Sequence, residues 1–140
     1  MGNYEPLDAS RVCSGTYGKI FLDGKWHSET SECTADVECD MKELLTCGSE
    51  WTGYKPGAKK GSGTLKGWKV TSEMIERGFK KFEILSELDD PEAYGCERIR
   101  LKNCRATKIN LINTKPGEIC EEETPIVFTG FELVDPITAD

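Results

Sequence analysis

Seven cysteines and one histidine are the residues of this 140-residue chain with the most chemistry to offer, as metal ligands, thiolate nucleophiles or a general base. Structural metal sites need ligands at tight spacing, a C-x2-C followed by a second pair or by histidines. The spacings here are Cys33-x5-Cys39-x7-Cys47 and Cys96-x7-Cys104, and His27 is the single histidine. Cys33 and Cys39 instead share one parity with Ala35, Val37 and Met41, while Thr34, Asp36, Glu38 and Asp40 take the other. Period two sustained over residues 33–41 marks a half-buried strand, so these thiols are read as small packed hydrophobes. An odd cysteine count cannot pair completely within the chain, which favours free thiols in a reducing compartment.

Other catalytic arrangements also fall short. His27 stands beside a hairpin signal, where a solvated or partly packed imidazole is the plain expectation. The carboxylates of Glu121-Glu122-Glu123 and Asp89-Asp90 are adjacent in sequence, so a strand or turn splays them apart and they are read as solvated surface. No G-K-[ST] tripeptide occurs, and residues 61–67 miss G-x-G-x-x-G by one position. No catalytic, cofactor-binding or metal-binding residue is therefore assigned, and no cofactor is expected.

The elements that would position functional residues are mostly strands. An apolar run over 17–22 meets Asp23-Gly24, the dipeptide that a tight hairpin wants, and Lys25-Trp26-His27 begins the return. Phe82, Ile84 and Leu88 share a parity, as do Ile99 with Leu101, Ile109 with Leu111, and Val127 with Phe131 and Leu133. Each is expected to be a strand with one face buried. One short helix is expected near 72–80, with Thr71 or Ser72 as N-cap, acids in the first turn, and Met74, Ile75, Gly78 and Phe79 as the packing stripe. The fold class that follows is mainly β, a sandwich or barrel-like body in a single domain over 1–140, with an N-terminal arm over 1–14.

Charge and hydropathy bound the partners. Eighteen Lys and Arg against 25 Asp and Glu give −7, which disfavours a conventional DNA-binding module. No apolar stretch approaches a membrane helix, no basic-then-apolar leader opens the sequence, and Met1-Gly2 is followed by Pro6 where an acylation motif needs Ser or Thr. The chain is accordingly expected in the cytoplasm of its cell, without a membrane anchor. Residues 48–63 read as a long loop, GSEWTGYKPGAKKGSG, carrying Trp51, Tyr54, Lys55, Lys59 and Lys60. Lysines interleaved with aromatics suit either a single-stranded nucleic-acid groove or docking onto the acidic body of another copy. On composition alone the two stand level.

From about Ser14 to Ile137 the sequence resembles the tail tube proteins of PBSX-type prophages, the XkdM-like group, shared with contractile phages and phage-tail-like bacteriocins. The resemblance rests on Gly18-Lys19-Ile20-Phe21-Leu22-Asp23-Gly24, Thr52-Gly53-Tyr54-Lys55 with Gly61-Ser62-Gly63-Thr64, and Lys69-Val70-Thr71-Ser72. It continues through Leu88-Asp89-Asp90, Glu97-Arg98-Ile99 with Leu101, and Glu121-Glu122-Glu123-Thr124-Pro125 ahead of Phe128 and Phe131.

The resemblance implies two packed antiparallel sheets with one helix, six subunits in a ring, and rings stacked into a hollow tube inside a contractile sheath. It implies no enzyme and no cofactor. The implied partners are the chain itself, the sheath protein, tape-measure and baseplate or initiator proteins, and DNA passing through without specific binding in a phage. Segment 48–63 takes the place of the loop that reaches the neighbouring ring. Asp36, Glu38 and Asp40 become lumen-facing candidates if strand 33–41 belongs to the inner wall. Arg98, Arg100 and Lys102 are read either as ion-pair partners of acids across strands or subunits, or as a contact with the sheath. The alternative to assembly is a monomeric β-sandwich or barrel that binds a partner or nucleic acid through 48–69.

Overall fold

The computed structural model describes residues 6–139, so the first five residues of the expected N-terminal arm lie outside it. Eight strands form one antiparallel sheet: β1 (Gly18–Leu22), β2 (Lys25–Trp26), β3 (Thr30–Leu44), β4 (Gly53–Trp68), β5 (Phe82–Leu88), β6 (Glu97–Ala106), β7 (Glu121–Phe128) and β8 (Gly130–Asp135). Their order is β2-β1-β5-β6-β7-β4-β3, with β8 also paired to β6. The ends of that path, β2 and β3, do not meet, so the sheet is not a closed barrel. Asp23 and Gly24, at φ 50° and 83°, make the expected tight turn between β1 and β2.

The sheet folds over itself into two layers that share β6. Its amino-terminal part pairs with β5 and β8, and Arg105 and Ala106 at its end pair with β7. Ile99 and Leu101 face inward on odd positions, but beyond Asn103 the inward residues are Cys104 and Ala106. Across the ladder the same switch separates Ile126 and Phe128 of β7 from Phe131 and Leu133 of β8. Asn103 lies at the crease with φ 55°, and its Nδ2 donates to Thr129 Oγ1 at 2.9 Å. The even parity that buries Ile126 and Phe128 replaces the single face expected for Val127, Phe131 and Leu133. Val127 instead points away from the core, opposite Arg105.

Left-handed backbone costs an L-residue about 1–2 kcal/mol, which asparagine and glycine escape. Asn103→Val is therefore expected to cost about 2 kcal/mol and Asn103→Gly less than half of that, measured by urea unfolding. Equal losses would show that φ at the crease is not what Asn103 supplies.

The closed core holds Leu22, Leu65, Phe82, Ile84, Leu101, Cys104, Ile126 and Phe128, drawn from β1, β5 and β6 of one layer and β4 and β7 of the other. Met74, on the helix α1 (Glu73–Arg77), packs against it. That helix is shorter than expected because Gly78 takes φ 61° and ends it, leaving Phe79 exposed. Segment 107–120 is a loop, so the strand expected around Ile109 and Leu111 does not form. The described part of the arm is docked on the body. Asp90, read from sequence as solvated, is buried; its Oδ2 accepts from the Ser14 N–H at 2.9 Å and its Oδ1 from the Glu92 N–H at 2.9 Å.

Candidate assembly interface

The largest departure from a closed domain is the hairpin of β3 and β4. β7 flanks β4 only over Gly61–Trp68, so among the described residues the segment between Gly53 and Lys60 pairs with β3 alone. The pairing runs from Cys39↔Lys59 to Met41↔Pro56, which puts one extra residue in β4 and bulges the ribbon there. Beyond that bulge both faces lie open, ending in a turn over 45–52 where Leu45 and Trp51 are 82% and 85% exposed. A two-stranded ribbon is marginally stable alone in water. Its persistence calls for a surface to lie on.

The glycine-rich stretch is thus a strand for most of its length, and only 48–52 of the expected loop belongs to a turn. Its glycines sit where backbone and ring come close. A Cβ on Gly61 would overlap the Phe128 ring, and one on Gly63 would overlap the Thr34 carbonyl oxygen. Gly61, Gly63, Leu65 and Gly67 occupy the core-facing parity opposite Phe128, Ile126, Thr124 and Glu122. The alternation with Ser62, Thr64, Lys66 and Trp68 was present in the sequence, with glycine standing where an apolar residue usually marks the buried face.

A second exposed apolar cluster lies at the other end of the same layer. Loop 107–120 wraps the end of β4, tied by Lys69 N–H to Cys120 O at 3.1 Å, Lys69 Nζ to Leu111 O at 3.2 Å and Asn113 Nδ2 to Glu121 O at 3.1 Å. Ile112 and Ile119 are 83% and 78% exposed. A groove of about 470 Å³ opens there between Trp68, Ile119, Glu118 and Glu121.

Asp36, Glu38 and Asp40 point away from the core on the outward face of this layer, in the parity opposite to Cys33, Ala35 and Val37. They do not form a purely acidic stripe. Glu38 pairs in register with Lys60, Asp40 Oδ2 lies 2.7 Å from Lys42 Nζ, and the neighbouring Glu32 lies 3.8 Å from Lys66. Lys55 stands directly opposite Lys42, and Lys59 opposite Cys39.

Arg98, Arg100 and Lys102 stand on the outward face of the other layer, each beside carboxylates of its own chain. Arg98 meets Asp135 at 2.7 Å and Glu87 at 3.5 Å, Arg100 meets Glu83 at 2.9 Å, and Lys102 meets Glu132 at 3.8 Å. These are the cross-strand pairs that opposite charges on adjacent strands make.

Cys33, Cys104 and His27 are tied up in packing or local hydrogen bonding, while Cys47 is exposed. Burial pushes the thiols of Cys33 and Cys104 up to about 11, which keeps them protonated and unreactive at neutral pH. His27 has Nδ1 2.6 Å from Thr30 Oγ1 and Nε2 3.3 Å from a Glu29 carboxylate oxygen, so both ring nitrogens serve the β2–β3 connection. Glu87, Asp89 and Cys96 could bring ligand atoms within 4.8 Å of one another, but Glu87 already accepts from Arg98.

Between the layers an apolar cleft of about 260 Å³ runs past Val37, Ile99 and Phe131, where β3 outreaches the strands that would cover it. A chain built this way has a small closed core and apolar surface at both ends and along one side.

Comparison with known proteins agrees with that reading. A family model described as phage tail tube protein matches residues 5–135. The phage-like element PBSX protein XkdM of Bacillus subtilis (strain 168) is 30% identical over 143 residues, covering 94% of this chain and 97% of that protein. Among solved structures, a chain of the sheath/tube terminator of an extracellular contractile injection system superposes with a TM-score of 0.66 at 11% identity, covering 96% of this chain and 100% of that one. A chain from the C6-symmetric tail of a gene transfer agent particle gives a TM-score of 0.62 at 14% identity, covering 89% and 100%. Sequence, fold and exposed ends lead to one assignment: the chain belongs to the phage tail tube protein family.

Proposed function

We propose that this chain is the repeating subunit of the inner tube of a contractile tail or tail-like particle. Six copies close into a ring and rings stack into a hollow tube within a sheath, a conduit for DNA ejection or membrane puncture. The observation that supports this is the two-stranded distal half of β3–β4, a ribbon of six residue pairs beside which no third strand runs among the described residues. The C6 symmetry of the gene transfer agent tail supports six as the ring number.

Ring closure answers the edge problem. Among the described residues no strand pairs with the outer edge of β3, a template for another chain's strand. Pairing it with a neighbouring subunit joins the β3-β4-β7 layers into one wide barrel, which leaves an aqueous bore. Trp51, Tyr54, Lys55, Lys59 and Lys60 then belong to the ring-stacking ribbon. Asp36, Glu38 and Asp40 face the lumen beside Lys42, Lys60 and Lys66, so the wall is mixed in charge with acids in excess once Glu32 and Glu123 are included. Such a wall gives a phosphate backbone few places to bind, and cargo slides. Arg98, Arg100 and Lys102, with the carboxylates around them, lie on the outer layer toward the sheath.

Tying up a ribbon only on assembly restrains premature growth, because its ordering entropy is met when the next ring arrives. Sedimentation over a concentration series tests the ring: species of six times the 15.6 kDa chain mass are expected, and a monomer at every concentration would count against it.

A further inference from the structure

Resting on the stacking role proposed above, we infer that the ribbon tip of one subunit seats in the groove beneath loop 107–120 of a subunit in the next ring, with Lys55 of the first pairing with Glu118 and Glu121 of the second. β4 runs from the tip at Gly53 to the groove at Trp68. Sixteen residues of extended strand separate the two by roughly 50 Å, so they lie at opposite ends of one layer. Two different patches at opposite ends make a head-to-tail contact, the kind that does not close on itself and propagates as a filament.

Both patches expose apolar side chains: Leu45, Trp51 and Tyr54 at the tip, Trp68 and Ile119 on the lining of the groove, and Ile112 elsewhere on loop 107–120. The groove is otherwise polar, lined by Asn113, Lys115, Glu118 and Glu121. Aromatic side chains are what interface cores are enriched in.

Their charges are complementary as well. Lys55 stands directly opposite Lys42, an arrangement that is unfavourable unless an acid intervenes, and the nearby Asp40 carboxylate is held by Lys42 at 2.7 Å. No described carboxylate lies within ion-pair distance of Lys55, and no described cation lies within that distance of Glu118 or Glu121. A second pair runs the opposite way, Glu50 on the tip toward Lys115 on the groove rim.

Charge reversal tests the seating with the full chain. Lys55→Glu is expected to raise the critical concentration for rod formation at least tenfold while rings persist by sedimentation, and the double variant Glu118→Lys, Glu121→Lys should do the same. Combining all three substitutions should bring the critical concentration back to within about threefold of the parent. Circular dichroism confirms that each variant folds, and mixing the two defective proteins supplies an independent arm, since each carries what the other's contact lacks. Parent-like rods from either reversed protein would overturn the pairing, and so would failure of both the combined variant and the mixture to polymerise. Removal of the tip separates the pairing from the stacking role: if tipless protein still makes rods, the stacking role itself falls, whereas loss of rods there with unaffected reversals removes only this pairing.

Discussion

Excising residues 40–58 and joining Cys39 to Lys59 through an Asn-Gly turn is expected to give a protein that folds and makes no tubes. None of the eight closed-core residues lies in the excised segment, and the third strand of that layer begins its pairing only at Gly61. What is removed inside the monomer is a two-stranded ladder open to water on both faces, a structure with little stability of its own. The unfolding free energy should fall by about 1 kcal/mol or less, because a short designed hairpin turn replaces a marginal ribbon. Polymerisation should be lost outright, since in the proposed stacking the ribbon with its exposed Leu45, Trp51 and Tyr54 forms one side of the contact between rings. Thermal melting and microscopy on the same sample separate the two effects. Normal rods would refute the stacking role, and a molten protein would mean that the ribbon belongs to the fold.

Gly61 should show a large effect on stability. Its Cα faces the Phe128 ring so closely that any β-carbon would overlap the ring, and Phe128 is 5% exposed within the core. Gly61→Ala is expected to cost about 1–3 kcal/mol, the usual range for overpacking a filled interior, and Gly61→Val more. If ring and β-carbon are the cause, the two positions are coupled: in a Phe128→Leu background the Gly61→Ala penalty should shrink by at least half. Denaturant unfolding of the four proteins of that cycle provides the measurement. An unchanged penalty would place the cost in the backbone of β4 rather than against Phe128.

Gly61 also explains why part of the fold was legible in the sequence and part was not. Alternation over 33–41 and at Phe82 and Ile84 showed itself because those strands place large or sulfur-bearing side chains on their inner face. Asp23-Gly24 announced its turn because positive φ restricts residue choice there. In β4 the inner face is Gly61, Gly63, Leu65 and Gly67, and period two written in glycine looks like flexibility. Length compounded this, for the distal ribbon gains no support within its own chain and the signals of a buried face are absent.

The fold-over at Asn103 and Thr129 escaped for a different reason. Parity reverses in both β6 and the β7–β8 run, so counting one face through Val127, Phe131 and Leu133 crosses a crease that only tertiary pairing defines. The residues proposed for assembly were largely named from sequence at the tip. Trp68 lay within the segment 48–69 singled out from sequence, but Ile112 and Ile119 of the following loop were not named, because isolated apolar residues in a loop acquire meaning only when folding places them. Arg98, Arg100 and Lys102 drew notice for their charge, and their nearest acids come from β5 and β8, a pairing that sequence distance hides.

Negative-stain microscopy of the purified protein at high concentration decides whether the chain builds a stacked tube. Six-fold rings and hollow rods made by stacking them are expected, with rods disappearing when residues 40–58 are removed. Dispersed single subunits at every concentration, with neither rings nor rods, would contradict tube assembly.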